Sequence, residues 1–233
     1  MSDRLSRKDI KHDKFVDEME TAYQVARKNV RWIVAAIVGV VVLIGVIVGA
    51  TLWLASQERK AQLRLAEAID VLEAPLGQPT PAGTFQTEQE KLEKAEPMLR
   101  EVVDEYSGRD AADVAGLYLA RLEAGRGEVD PAIEKVRKFV DSHPEHVLAQ
   151  SARISLYDLR LSKGESQEVI ADLEKEISET DSPLPTDISL AILARAYEAG
   201  NQHQQSRQAW QRLLNEYPDS AYTLEAQRKL NRG

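Results

Sequence analysis

Leu193-Ala-Arg-Ala-Tyr-Glu-Ala-Gly200, followed by Ser206-Arg-Gln-Ala-Trp210-Gln-Arg-Leu-Leu214-Asn-Glu-Tyr-Pro218, is the stretch that decides the fold. In both halves apolar or small residues recur three and four apart, the period of a helix with one buried face. A second copy stands upstream: Leu119-Ala-Arg-Leu-Glu-Ala-Gly125, then Ala132-Ile-Glu-Lys-Val136-Arg-Lys-Phe139, closing at Pro144. Each copy reads as two antiparallel helices. Small residues at Ala120, Ala194, Ala132 and Ser206 let the paired helices approach; Gly125 and Gly200 are expected to close the turns, and the prolines to end the second helices. Asp130-Pro131 reads as an N-capping carboxylate followed by a first-turn proline.

Pro144, Pro183 and Pro218 stand 39 and 35 residues apart. A two-helix unit with a period in the thirties is of tetratricopeptide type. Upstream, Leu65, Ile69 and Leu72 mark one helix, and Leu92, Ala95, Leu99, Val102 and Tyr106 the next. The connection from Pro75 to Gly83 holds too many breakers to be helical. The middle pair, Leu148 to Ile177, offers Leu156, Leu159 and Leu161 but no Ala-Tyr match. Residues 56–233 therefore predict an all-α solenoid of four helix pairs, with Ala221, Leu224 and Leu230 capping the open end. Composition agrees: aromatics are 6% of residues and Gly and Pro fall mostly between periodic stretches.

The N-terminal part reads differently. From Trp32 to Gln57 no residue is charged. Residues 32–55 are almost wholly apolar, which exceeds the roughly 20 residues a spanning helix needs. Trp32 and Trp53 mark its ends, where indole rings favour the headgroup level. Gly45 and Gly49, with Ala35 and Gly39 at the same spacing, are the candidate contact with another membrane helix. Residues 1–31 form a polar tail in which Phe15, Met19, Tyr23, Ala26 and Val30 line one face of a juxtamembrane amphipathic helix. Eight basic residues precede the span (Arg4, Arg7, Lys8, Lys11, Lys14, Arg27, Lys28, Arg31) and three follow closely (Arg59, Lys60, Arg64). That bias predicts an N-terminus in the cytoplasm and the C-terminal domain outside it, periplasmic in a bacterium.

Several classes of function are excluded. There is no cysteine, so no disulfide, thiolate metal site or thiol nucleophile exists. A net charge of −8 without a basic cluster argues against a nucleic-acid footprint. No phosphate loop, His-Glu-x-x-His helix or Gly-x-Ser-x-Gly elbow is present. His143, Glu145 and His146 read as a solvated turn rather than a metal site. No catalytic, cofactor or metal residue and no small-molecule substrate is expected; the partners are other proteins and, through residues 32–55, the lipid bilayer. If the solenoid binds peptides, the first helix of each pair lines its groove, and Tyr118, Arg121, Arg153, Tyr157, Arg160, Arg195 and Glu198 are the candidate contacts, the arginines for carboxylates or backbone carbonyls.

The polar tail, single uncleaved span, Pro-interrupted first pair and three further pairs resemble the bacterial single-pass tetratricopeptide-repeat (TPR) proteins that are ancillary subunits of the Sec translocon. The resemblance implies an inner-membrane adaptor holding chaperones or secretory clients near the export channel. A cell-envelope assembly or division scaffold, and a regulator acting through the cytoplasmic tail, fit the same architecture.

Overall fold

The computed structural model describes Met19, residues 30–179 and residues 182–231. Apart from Met19, Val30 and Arg31, the juxtamembrane segment lies outside the described residues. Among them the chain forms nine α-helices: α1 (Val30–Glu73), α2 (Glu88–Glu105), α3 (Asp110–Gly125), α4 (Val129–Ser142), α5 (Ala149–Lys163), α6 (Ser166–Ser178), α7 (Thr186–Ala199), α8 (His203–Glu216) and α9 (Thr223–Asn231). The chain divides into two units after Gln57, and α1 crosses that division.

In the first unit α1 is a helix long and apolar enough to cross a membrane, and none of its most apolar stretch is buried. Trp32 and Trp53 are 78% and 60% exposed, and the Val and Ile side chains between them are exposed as well.

In the second unit α2 to α9 pack neighbour on neighbour, α3 with α4, α5 with α6 and α7 with α8. The turns that close these three pairs share one geometry. Gly127, Gly164 and Asn201 each adopt a positive φ (80°, 93° and 59°). They stand 37 residues apart, and that interval, rather than the proline spacing, is the register of the repeat. The left-handed turn position therefore belongs to Gly127 and Asn201, not to Gly125 and Gly200; Gly125 ends α3 and Gly200 has φ −82°. Asp130 likewise does not cap α4, whose N-cap is Glu128, and falls with Pro131 in the first turn.

The same interval aligns the core. Leu99, Val136, Leu173 and Trp210 occupy one position of the four second helices and are all buried. Ala115, Ala152, Ser189 and Ala226 occupy one position of the incoming first helices, all buried too. The first pair is the exception: residues 74–87 replace the tight turn, and Phe85 folds back against Val71, Ala74 and Ala95. Lys94 fixes that loop by donating to the Ala82 carbonyl (2.6 Å) while lying over the Phe85 ring (5.3 Å). At the open end the cap is made by Ala226, with Tyr222 and Leu230 partly buried, whereas Leu224 and Ala221 are exposed.

The middle pair breaks the pattern twice, and its two helices approach each other less closely than those of the flanking pairs. Tyr157 stands where Ala120 and Ala194 stand in the flanking pairs, and Glu176 stands where Phe139 and Leu213 do. The large residue on α5 meets a carboxylate instead of an apolar side chain on α6, and the Tyr157 hydroxyl donates to Glu176 Oε1 at 2.6 Å. Glu176 Oε2 is buried without a partner, as is the Ser189 hydroxyl. Removing the donor would strand a largely enclosed carboxylate, which costs about 1–3 kcal/mol. Tyr157→Phe is accordingly expected to lower the thermal unfolding midpoint, and Ser189→Ala, which restores the alanine of equivalent positions, to raise it. Calorimetry on the full chain checks both. Gly164→Ala should cost about 1 kcal/mol at its left-handed φ, whereas Asn201→Gly should not destabilise.

Candidate functional site

Helices α3 and α5 flank an open groove of about 570 Å3. Its lining is mostly apolar: Leu117, Ala120 and Ala124 from α3, Ala152 and Leu159 from α5, with Val136 of α4 between them. Polar groups reach it from both walls, Tyr118 and Arg121 from α3 and Ser151, Ser155, Asp158 and Ser162 from α5. Two of the hydroxyls are engaged with their own helix, Ser151 at the Leu148 carbonyl (2.9 Å) and Ser162 at the Leu159 carbonyl (2.7 Å).

The residues anticipated as groove contacts fall into three environments. Tyr118, half-buried, and Arg121, exposed, lie together in this groove. Tyr157 and Arg160 serve the contact between α5 and α6. Tyr157 is buried, and Arg160 binds Glu165 at 3.0 Å and Asp172 at 2.7 Å. Arg195 and Glu198 meet α9: Arg195 holds Glu225 through two bonds (2.8 and 2.5 Å) with the Tyr222 ring 5.3 Å away, and Glu198 accepts from Lys229 at 2.5 Å. Arg153 is half-buried on α5 and does not line the groove. Gly45 and Gly49 sit in the exposed stretch of α1, where an added Cβ would meet nothing within 4 Å.

Asp158 is a groove residue that periodicity alone does not single out. It occupies the repeat position of Arg121 and Arg195, so the three form a series of alternating sign along the first helices. Its carboxylate faces Arg195 at 3.9 Å. Desolvation raises the Asp158 carboxyl above its ordinary value, Arg195 opposes that, and Glu225 adds to it. Tyr197 on α7 donates to Glu174 on α6, and partial burial with that bond raises its hydroxyl to about 12.

Arg160 has an instructive counterpart. In the preceding pair the same two positions carry Glu123 and Lys135, paired at 2.9 Å, with Glu123 buried. The bridge recurs with its charges exchanged, and in the last pair it becomes Tyr197 and Ala209. These positions tie the two helices of a pair together, and none of them lines the groove between α3 and α5. Near the α4–α5 turn, His143 bonds Asp113 at 2.8 Å, and its ring lies tilted against Phe139 and edge-on to His146. Among the described residues no group of three or more acidic or histidine side chains is disposed to hold a metal.

Stacked helix pairs with a groove between successive first helices define a helical-repeat scaffold, a type that typically binds proteins and is not catalytic. The chain belongs to the tetratricopeptide repeat-like domain family, whose profile matches residues 27–231. Two crystal structures are similar, both of nearly identical TPR-like repeats assigned to a kinesin light chain of Podosopora anserina. One shares 20% identity over 69% of this chain and 92% of that chain, with a TM-score of 0.45. The other, a glutamine-to-methionine variant, shares 18% over 77% and 97%, with a TM-score of 0.47. No curated protein matches the chain.

The Glu225 carboxyl is held below its ordinary value of 4.5, first by the Arg195 hydrogen bonds and against partial burial. Its contribution to stability is therefore complete above pH 4.5 and is lost as pH falls through the depressed folded value. Glu225→Gln is expected to melt below the wild type at pH 7, with the gap closing under acid conditions, as read by circular dichroism.

Proposed function

We propose that this protein is a single-pass membrane adaptor that presents its TPR-like domain to protein partners, with an extended partner segment seated between α3 and α5. The observation that carries the reading is the groove itself, apolar along its base, polar on both walls and open to solvent. Supporting the anchor are the uncharged run from Trp32 to Gln57 and its exposed surface. A span restricts the domain to a plane beside its partners and raises their effective concentration without adding contacts.

In this reading the bilayer is a bacterial inner membrane, the N-terminus is cytoplasmic and the repeat domain lies outside, in keeping with the excess of Lys and Arg before the span. Its place is beside the protein-export machinery, where the repeats hold chaperones or secretory clients. The resemblance to ancillary translocon subunits supports that partner class.

Photo-crosslinkers placed at Gly45 and Gly49, and separately at Tyr118 and Arg121, test it in intact membranes. Span adducts with translocon subunits and groove adducts with chaperones or secretory proteins are expected. Groove adducts with a single envelope assembly, and span adducts only with lipid or a second copy, would replace the export role with that of a scaffold. Recovery of the whole chain in the supernatant after alkaline extraction would remove the anchor.

A further inference from the structure

The repeat contains its own internal control for the groove. With Pro144 and Pro218 superposed, the sequence from Leu119 to Leu156 runs against Leu193 to Leu230 without a gap. Ala152 and Ala226 coincide, each buried against the preceding pair. Arg121 coincides with Arg195. The step from α3 to α5 is thus equivalent to the step from α7 to α9.

At the second of these steps the space is filled. Glu225 neutralises Arg195, Lys229 pairs with Glu198, and Tyr222 lies against the Arg195 guanidinium. At the first step the equivalent residues are all shorter. Ser151 replaces Glu225, Ser155 replaces Lys229, Ala124 replaces Glu198 and Leu148 replaces Tyr222. Those four truncations account for the cavity between α3 and α5, which Ser151, Ser155, Ala124 and Leu148 all line. They also leave Arg121 unanswered: among the described residues no hydrogen bond or ion pair engages its guanidinium. The other charged group on the lining, Asp158, is turned to Arg195.

We propose that Arg121 receives a carboxylate from the bound partner in the place that Glu225 occupies at Arg195, and that the groove therefore selects an acidic peptide segment with an apolar side chain beside its glutamate or aspartate. The inference rests on the peptide-binding reading above and specifies its ligand. A guanidinium fork matched to a carboxylate gives directional, charge-assisted bonds. The apolar base contributed by Ala120, Ala124 and Ala152 accommodates the neighbouring side chain, in the volume that longer residues take at the later step.

The test uses the full chain in detergent and an array of short acetylated, amidated peptides, each present in a glutamate form and a glutamine form. Peptides that bind should favour the glutamate form by about tenfold or more, the range of a charge-assisted bond. Arg121→Gln should abolish that preference, and Ser151→Glu, which recreates the occupied arrangement internally, should abolish binding. Arg207→Gln, an exposed charge on α8, should change neither, and all three variants should retain the wild-type circular dichroism. Bound peptides that show no glutamate preference would overturn the acidic selectivity while leaving peptide binding intact. Displacement by acetate or free glutamate as effective as displacement by peptide would reduce Arg121 to an adventitious anion site. Absence of any bound peptide would sink both readings.

Discussion

Every step of the stack depends on one close approach. A small side chain on each incoming first helix, Ala115, Ala152, Ser189 or Ala226, is buried at the junction with the pair before it. In three of the four junctions it shares a core cluster with a large residue of the preceding second helix, Leu99, Val136 or Trp210. A bulkier side chain there would push adjacent helices apart and open the apolar face that each pair cannot bury alone. Glu58, near the start of the second unit, adds a polar tie by accepting from the Ala111 amide at the beginning of α3.

Around that fixed contact the other positions vary, and the variation explains where the molecule is filled and where it is open. In the middle pair Tyr157 brings its bulk to α5 and bonds Glu176 across the pair, and the two helices approach each other less closely than in the flanking pairs. At the C-terminal step long charged residues close the space beside Arg195; at the α3–α5 step short ones leave it empty. A groove in such a stack is a local shortage of side-chain atoms over an unchanged backbone register.

The helices and their pairing were legible because apolar and small residues keep a helical period over the whole domain. The register was harder to read. Pro144, Pro183 and Pro218 suggested unequal repeats of 39 and 35 residues, because a proline that ends a helix can slide along the following loop. The left-handed turn residue cannot slide, and one of the three is Asn201, so a search for glycine misses it. Site residues were legible only as a class. Charge and aromaticity selected Tyr118 and Arg121, but equally Arg160 and Arg195, whose partners lie about 5–30 residues away and are visible only once the helices are placed. Ser151 and Ser155 carry no sequence signal beyond being shorter than their counterparts.

The exchanged bridges, Glu123 with Lys135 and Arg160 with Asp172, also bear on how the chain finds its own topology. Neighbouring units so alike in length and apolar pattern invite a helix to fold against the wrong copy, the characteristic failure of tandem arrays. Pairing α3 with α6 would set Glu123 against Asp172, and pairing α5 with α4 would set Arg160 against Lys135, each bringing like charges together. Reversing the sign from one unit to the next thus acts as an address label, rejecting mispaired neighbours while the nascent chain is still sorting its helices.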